Sequence, residues 1–428
     1  MSQQSRIPGT EIRRKEISAL SAIFVLVVVV ALTPVANSQT FQVIHQFSGT
    51  DGEHPYAGLT MDGAGRLYGT TAQGGASGYG TVFRLARAGS SWVLTTLYTF
   101  QGGSDGAYPS SRVVFGPDGT LYGNTSQGGV PDCGRQTCGT VFNLQPPSTV
   151  CRSTLCPWTK TTLHSFQGTG NGFDGQSPVG DLTFDSAGNI YGATNLGGQY
   201  NTGMVYELTR TSGGWTETNL HSFTNTLGFP DAGVTLDSSG NLYGTTQFAY
   251  DYYGSVYELS PSGSGWVEQT IHKFQLDDGG FPYASVILDN VGNLYGATTA
   301  YGVNNGGTAF ELSPANGSWS FSLLYSFAAP CCGEGGPRAN LTFDQAGNLY
   351  GTTSSDGADQ LGSIFKLTHG SNGWTYTSLY DFDDASIAAD PMSNVIFDTS
   401  GNLYGTYAIG YRPAYCSYGC GGVWEITP

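Results

Sequence analysis

The sequence predicts an all-β fold: a seven-bladed β-propeller whose blades are four-stranded antiparallel sheets. Fixed-period repetition is the first indication, because a short phrase ending in Tyr-Gly returns seven times, at Tyr68, Tyr122, Tyr191, Tyr243, Tyr295, Tyr350 and Tyr404. The intervals of 54, 69, 52, 52, 55 and 54 residues suit four short strands and exceed one solenoid coil. Composition is the second indication, since 64 glycines and 26 tyrosines favour strands and tight turns over helices.

Each repeat divides into four extended pieces. In the unit that starts at Leu97, these pieces are Leu97–Phe100, a stretch ending at Phe115, Leu121–Gly123 and Gly139–Phe142. They are rich in Val, Thr, Tyr and Phe and are bounded by Gly, Pro or Asp, as strands are. The turn before the Tyr-Gly phrase carries an Asp in each unit, and a Gly follows it closely, which predicts a hairpin. A set of calcium loops is the alternative, but these turns lack the dense alternating acidic ligands of such loops.

The outer strand of a repeat begins at a Trp that stands five residues before an aliphatic residue. We expect these side chains to pack between blades, with sugar-stacking platforms as the alternative. They are Trp92, Trp158, Trp215, Trp266, Trp319 and Trp374. The last unit has no such strand, whereas Phe41–Phe47 matches the pattern of the others. We therefore predict that a strand at about residues 39–47 pairs with the last blade and closes the ring.

The first 38 residues have the pattern of a secretory signal peptide. Basic residues precede an apolar run of about 13 residues, Leu20–Leu32, and small residues follow at Ala36–Ser38. The run is shorter than the roughly 20 residues that a membrane-spanning helix needs. We expect residues 1–38 to be the signal peptide and 39–428 to be one propeller domain without a membrane span. The predicted location is extracellular, periplasmic or at the cell surface.

The charge excludes one class of partner. The chain holds 16 basic and 32 acidic residues; four basic and two acidic ones lie in the leader, which leaves 12 and 30. Phosphate backbones repel such a protein, so nucleic-acid binding is disfavoured. An extracellular glycan or protein is the expected partner, and we expect a monomer.

The eight cysteines fall in apparent loops, mostly as close pairs. For an exported protein this pattern predicts disulfides. The predicted pairs are Cys133 with Cys138, Cys151 with Cys156, and Cys416 with Cys420, while the adjacent Cys331 and Cys332 are left unassigned. A zinc site is the alternative, but the sulfurs are divided among separate loops without a nearby His.

The repeat resembles a known family. Gly240–Thr246 and Gly347–Thr353 read Gly-Asn-Leu-Tyr-Gly-Thr-Thr, and with the later Gly-Thr-Val-Phe and Leu-Tyr-Ser-Phe phrases they resemble the Gloeo/Verruco (GloVer) repeat of exported bacterial proteins. The resemblance covers essentially residues 39–428. It implies an extracellular or surface protein and no particular activity. The hairpins also look like those of lactonase and streptogramin-lyase propellers, a structural likeness that carries no function with it.

Candidate ligand-binding residues collect in the loops that lead into the inner strands. In a four-stranded antiparallel blade, this lead-in loop and the loop between the second and third strands emerge on the same face. Carboxylates and tyrosines from several repeats therefore gather around one mouth of the channel, which suits hydroxyl-rich ligands or a cation. The alternative is that Asp-Gly only makes the turn. The candidates are Asp51, Asp105, Asp174, Asp278, Tyr56, Tyr108 and Tyr283.

Two irregular insertions and two single residues add further candidates. Residues 129–138 and 411–420 enlarge loops on the same face and contribute Arg135, Arg412 and Tyr415 as candidate specificity residues. His54 beside Glu53 is the best acid/base pair for an enzyme. The strand histidines are poorer candidates because tyrosines replace them in other repeats. They are His45, His164, His221 and His272.

These observations favour a non-enzymatic binding module over an enzyme, because catalysis needs one unique constellation and a repeat supplies seven copies. The alternative is a propeller enzyme of the lactonase or polysaccharide-lyase type, which would use carboxylates and a divalent metal at the channel mouth. No cofactor is identified from the sequence, and calcium is the one ion that the acidic loops suggest.

Overall fold

Seven four-stranded antiparallel sheets form the blades of a propeller in a computed structural model of the chain. The structure describes residues 39–129, 138–147, 158–168, 173–226, 228–248, 252–263, 265–328, 335–383, 388–410, 416 and 419–428. The predicted fold class is therefore confirmed. Blades 1 to 6 each use four consecutive strands, and we number the strands of a blade from the innermost outward.

The inner strand is paired over only two residues in most blades, and the other strands are longer. The strands of blade 1 are Thr60–Met61, Leu67–Thr71, Thr81–Ala88 and Ser91–Thr99. Blade 2 has Val114–Phe115, Leu121–Thr125, Thr140–Gln145 and Thr159–Ser165; blade 3 has Gly175–Phe184, Ile190–Gly197, Met204–Thr211 and Gly214–Ser222. Blade 4 has Thr235–Leu236, Leu242–Thr246, Ser255–Ser262 and Gly265–Lys273; blade 5 has Ile287–Leu288, Leu294–Thr298, Asn305–Ala315 and Ser318–Ala328. Blade 6 has Thr342–Phe343, Leu349–Thr353, Ser363–Gly370 and Gly373–Asp381.

Blade 7 joins the two ends of the described chain. Its first three strands are Ile396–Phe397, Leu403–Tyr407 and Gly422–Thr427, and its outer strand is Thr40–Gln46. The ring closure predicted from the repeat phase is confirmed. Two small elements lie outside the blades, a pairing of Ala388–Ala389 with Ile409–Gly410 and a 3-10 helix at Gly103–Asp105.

The Tyr-Gly phrase has a packing reason for each of its two residues. The glycine lies directly opposite an aromatic residue of the third strand, as Gly69 does opposite Phe83. A Cβ on Gly69 would lie 2.6 Å from the Phe83 ring, so only glycine leaves room for it. The tyrosine hydroxyl donates to the Asp of its own hairpin at 2.9 to 3.5 Å in all seven blades. The other oxygen of that Asp accepts backbone N–H groups, which confirms the hairpin prediction.

The hydrophobic core consists of seven clusters of described residues, one at each junction between neighbouring blades. Each junction buries a phenylalanine at or just after the end of an outer strand, such as Phe100, which is 0% exposed. The outer-strand tryptophans pack against these clusters, and Trp319 lies edge-on to Tyr243 of the preceding blade at 6.0 Å. Their predicted role in packing between blades is therefore confirmed.

A polar network seals the junction at which the ring closes. Glu425 of blade 7 is 1% exposed. It accepts hydrogen bonds from Gln42 Nε2 at 2.6 Å, from Tyr404 Oη at 2.9 Å and from the Arg87 guanidinium of blade 1. The Trp92 indole N–H donates to it at 3.3 Å, and Arg87 lies 4.6 Å over the Trp92 ring. One buried carboxylate thus connects the first described strand, the last strand and the first blade.

Candidate functional site

The lead-in loops and the loops between second and third strands lie on one face, as the topology predicts. Isolated backbone bridges pair the two loops within a blade, for example Glu53 with Gln73 and Gly280 with Ala300. This face of the ring therefore collects loops from every blade.

The four lead-in aspartates are each tied to an outer strand. Asp51 accepts from His45 Nε2 at 3.0 Å and from the Ser48 backbone N–H at 2.8 Å. Burial raises the pKa of Asp51, but these hydrogen bonds outweigh it and the net pKa is lowered. Tyr98 plays the part of His45 in the next repeat, where its hydroxyl donates to Asp105 at 2.7 Å. We call this arrangement the aspartate latch.

The latch recurs at the other two predicted aspartates. Asp174 contacts His164 Nε2 at 3.2 Å, and Asp278 contacts His272 Nε2 at 3.0 Å. Besides Tyr98, Asp105 also accepts a hydrogen bond from Lys160 Nζ at 3.1 Å. Because the latches lie in separate blade junctions, the structure does not bring the four carboxylates together.

One cavity of about 140 Å³ has lining residues from all seven blades and therefore lies on the axis of the ring. Its polar side chains are a mixture of both charges, amides and hydroxyls. They are Tyr56, Ser110, Ser111, Arg112, Asp181, Asp231, Tyr283, Ser285, Arg338, Asn340 and Asn394. Tyr56 and Tyr283 belong to the residues predicted from the sequence, while the charged residues and amides were missed.

The cavity residues come from one short pattern that every repeat contains. A proline is followed by a varied residue, a small residue, a second varied residue and an aliphatic one. In blade 6 this pattern reads Pro337-Arg338-Ala339-Asn340-Leu341. The prolines are Pro55, Pro109, Pro178, Pro230, Pro282, Pro337 and Pro391. The regular prolines were the signal that could have located the cavity.

Hydrogen bonds from neighbouring blades hold the pattern in place. Thr70 Oγ1 of blade 1 donates to the Ser111 carbonyl of blade 2 at 2.9 Å. Thr406 Oγ1 of blade 7 donates to the Ala57 carbonyl of blade 1 at 3.0 Å. The bonded carbonyl belongs to the small residue, so the varied residues on either side keep their side chains for the cavity.

The positive charge of Arg338 acts on two buried carboxyl groups, those of Asp231 and Asp390. Its guanidinium lies 5.5 Å over the Tyr283 ring. Burial raises the pKa of Asp231 to about 6, and the charge of Arg338 offsets part of this rise. Burial likewise raises the pKa of Asp390, again with a partial offset from Arg338. On the other side, Arg112 Nε donates to Asp181 at 2.7 Å, so this pair is already matched.

The remaining candidates lie around the rim. His54 stacks on Tyr56 at 5.6 Å, and its Nδ1 lies 3.2 Å from the Ala408 carbonyl oxygen. Glu53 takes part in the bridge to Gln73, and Tyr108 is half-buried with its carbonyl bonded to the Ser126 backbone N–H at 3.1 Å. Candidates outside the described residues are Arg135, Arg412, Tyr415, Cys133, Cys151, Cys156, Cys331 and Cys332.

Among the described residues, one group brings three potential metal ligands close together: Glu53, Cys416 and Cys420. The two sulfurs are joined in the predicted disulfide, with Cα atoms 5.4 Å apart, so they do not offer free thiolates. The described residues contain no helix that is long and apolar enough to cross a membrane.

The fold and the axial cavity define a seven-bladed β-propeller with a small polar cavity lined by residues that vary from blade to blade. The sequence profile of the Gloeobacter/Verrucomicrobia repeat matches residues 26–247 and 216–424. The chain belongs to this family, as the repeat phrases indicated. No curated protein sequence matches the chain.

Several solved structures are similar to this chain at low sequence identity. A putative 6-phosphogluconolactonase from Bacteroides uniformis is 16% identical, with a TM-score of 0.48 over 76% of this chain and 83% of its own. A gluconolactonase from Xanthomonas campestris is 12% identical, with a TM-score of 0.38 over 67% and 78%. PorZ, a surface component of the type-IX secretion system of Porphyromonas gingivalis, is 12% identical with a TM-score of 0.51. The match to PorZ covers 92% of this chain but 48% of PorZ, so this chain spans about half of that protein.

Proposed function

We propose that the protein is an exported binding module whose axial cavity holds part of a hydroxyl-rich ligand, a glycan ahead of a protein. The observation that carries this proposal is the lining of the cavity, where residues that differ from blade to blade are presented by a backbone that is the same in every blade. Varied side chains on a repeated scaffold are the arrangement that specific recognition requires.

The chemistry of the cavity suits sugar hydroxyls. Asp231, Asn340 and Asn394 offer planar acceptors or donors, Arg338 offers several donors, and Tyr283 offers a ring face and a hydroxyl. Such side chains match the paired donor and acceptor groups of a carbohydrate. We assign ligand contact to Tyr56, Tyr283, Asp231 and Arg338 because they line the cavity, whereas the latch aspartates lie in separate blade junctions.

Export is part of the proposal. The leader pattern of residues 1–38 and the Cys416–Cys420 disulfide support it, because disulfides form and persist in oxidising compartments.

The test is binding of the purified protein to an array of plant and bacterial polysaccharides, with and without calcium. We expect selective, saturable binding that Arg338→Met abolishes. Arg66→Met is the matched control, because Arg66 lies in a hairpin away from the cavity and pairs with Asp62. Equal binding by the two variants would show that the cavity is not the site. Absence of binding to every glycan would contradict the carbohydrate assignment and direct the search to protein partners.

A second candidate is a hydrolase or lyase of the propeller type. The raised pKa of Asp231, about 6, favours it, because a carboxyl that titrates near neutral pH is suited to general acid/base catalysis. Its test is bond cleavage in lactones and in any polysaccharide that binds. An enzyme should show a pH–rate profile with a step near pH 6 that Asp231→Asn removes.

A further inference from the structure

Three aromatic side chains from blades 4 and 5 contact one another on the loop face of the ring. The ring centroids of Tyr253 and Tyr301 are 4.6 Å apart, those of Phe281 and Tyr301 5.5 Å, and those of Tyr253 and Phe281 6.3 Å. All three residues are half-buried, so part of each remains accessible to solvent. We call this group the aromatic platform.

Tyr301 has a backbone conformation that is unusual for a bulky residue. Tyr301 has a φ of 61°, in the left-handed region that disfavours a bulky residue. It is the third residue after Thr298, a threonine that the second strands of blades 1 to 3 also contain, at Thr71, Thr125 and Thr194. Blades 1, 2 and 3 place glycine at this position, Gly74, Gly128 and Gly197, each with a positive φ. A tyrosine therefore occupies a place where glycine would be unstrained, and such strain is concentrated at functional sites.

The rest of the platform is equally constrained. Phe281 also has a left-handed backbone, with a φ of 57°, and its N–H donates to the Tyr253 carbonyl at 2.7 Å. Gly280 lies beneath the rings, since a Cβ there would approach both Tyr253 Cβ and Tyr301 Cδ2 to 2.7 Å. The platform is thus held by the backbone of two blades.

A short stretch of chain connects the platform to the axial cavity. Phe281 is followed by Pro282 and then by Tyr283, whose ring lines the cavity beneath Arg338. Ligand pockets for small molecules usually measure roughly 300–1,000 Å³. At about 140 Å³ the cavity has room for only the end of a chain-like ligand, so the remainder must lie on the neighbouring surface.

We infer that the aromatic platform binds successive sugar units of an uncharged polysaccharide whose end sits in the axial cavity. This inference rests on the proposed function. The ring faces would contact the apolar faces of the sugars, and the hydroxyls of Tyr253 and Tyr301 would meet hydroxyl groups at their edges. The net charge of −16 opposes acidic polysaccharides and leaves neutral ones as the occupant.

The experiment is calorimetric titration of the full protein with neutral cello-, xylo- and manno-oligosaccharides, from disaccharide to hexasaccharide. In the wild type, we expect affinity for the preferred series to rise with chain length. Tyr301→Gly, which installs the residue of blades 1 to 3, should weaken hexasaccharide binding about threefold to tenfold and leave disaccharide binding unchanged. Its thermal unfolding midpoint should be unchanged or higher, because the left-handed backbone no longer carries a side chain.

Tyr253→Ala is a second, independent test, for which we expect the same weakening of hexasaccharide binding. Tyr79→Ala is its matched control, because Tyr79 stands at the same place in blade 1, is 40% exposed and lies outside the platform. If Tyr301→Gly and Tyr253→Ala both keep the full dependence on chain length, the inference is wrong and the cavity proposal survives. If no neutral oligosaccharide of any length binds, the inference is wrong, and the polysaccharide array decides the cavity proposal separately.

Discussion

The two ends of a blade belong to the same repeat, but the key residues are constant at the hairpin end and variable at the cavity end. At the hairpin end, an Asp accepts the hydroxyl of the Tyr-Gly tyrosine in all seven blades. At the cavity end, the residue after the proline is different in almost every blade, from Ser110 to Arg338. The comparison separates the parts of the repeat that stabilise the ring from the parts that are left for recognition.

The variability of the cavity end does not come from a looser backbone, because recurring hydrogen bonds hold both ends in place. Thr245 Oγ1 donates to the Ala284 carbonyl at 3.0 Å, and Thr352 Oγ1 to the Ser393 carbonyl at 2.8 Å. At the hairpin end the acceptor is a side chain, such as the Asp237 carboxylate, whereas at the cavity end it is a backbone carbonyl. Substitutions at that end should therefore reduce stability, whereas substitutions at the cavity end should alter binding.

The largest loss of stability is expected for Glu425→Ala at the ring closure. The change removes the buried acceptor shared by Gln42, Tyr404 and the half-exposed Arg87. Each hydrogen bond to a charged group contributes about 1.5–3 kcal/mol, so the loss of several should exceed about 3 kcal/mol. Urea unfolding measures the loss. Glu258→Ala is the control, because Glu258 has the same register in blade 4 but is only half-buried. A loss no greater than that of the control would show that the closure is not held by this network.

Asp237→Ala should have the next largest effect. Asp237 accepts from the Ser239 and Asn241 backbone N–H groups at 2.8 and 2.9 Å and from the Tyr243 hydroxyl at 3.1 Å. Hydrogen bonds to a charged group contribute about 1.5–3 kcal/mol, so we expect a loss of about 2–3 kcal/mol by urea unfolding. An unchanged unfolding midpoint would remove the distinction between the two ends of the blade.

Asp231→Asn, six residues earlier in the same blade, should act in the opposite direction. Because the folded pKa of Asp231 is raised from 3.8 to about 6, the unfolded chain releases this proton first, and the native state loses stability as pH rises from about 4 to 6. The variant lacks this penalty. We expect equal stability near pH 3.5 and a gain of about 1–2 kcal/mol for the variant at pH 7.

Parallel urea titrations of the wild type and Asp231→Asn at the two pH values measure this difference, because all other groups titrate alike in both proteins. A variant less stable than the wild type at pH 7 would place Asp231 with the stabilising residues.

His272→Tyr should have the smallest effect. Tyr98 makes with Asp105 the same latch that His272 makes with Asp278, so a tyrosine can keep the hydrogen bond. We expect a change within about 0.5 kcal/mol. His272→Ala, which removes the donor, should cost about 1 kcal/mol. The His272 ring also stacks on Phe321 at 4.3 Å. Equal losses for both variants would mean that this stacking matters and the hydrogen bond does not.

Most of the fold could be predicted from the sequence because the pattern of each strand recurs in several repeats. The prediction of the closing strand needed only the phase of Phe41–Phe47 relative to the other outer strands. The inner strand was harder. The extended stretch before Phe115 pairs only at Val114–Phe115, because the residues before it use their carbonyls for bonds from the neighbouring blade.

The candidate site was predicted less completely, for two physical reasons. The latch aspartates look like free ligands in the sequence, and their partners, such as His45 for Asp51, lie in the preceding strand and are recognised only when the loop is closed. The cavity residues Asp231 and Arg338 differ from their counterparts in other repeats, and in a sequence such positions are indistinguishable from drift. Their convergence on one axis appears only when seven blades are assembled.

The closure of the ring sets an order of events during synthesis. Gln42 and Glu425 are 383 positions apart, so the outer strand of blade 7 has no partner until residues 422–427 have been made. Until then the seventh blade has an open edge, and its junction with blade 1 lacks the Glu425 network.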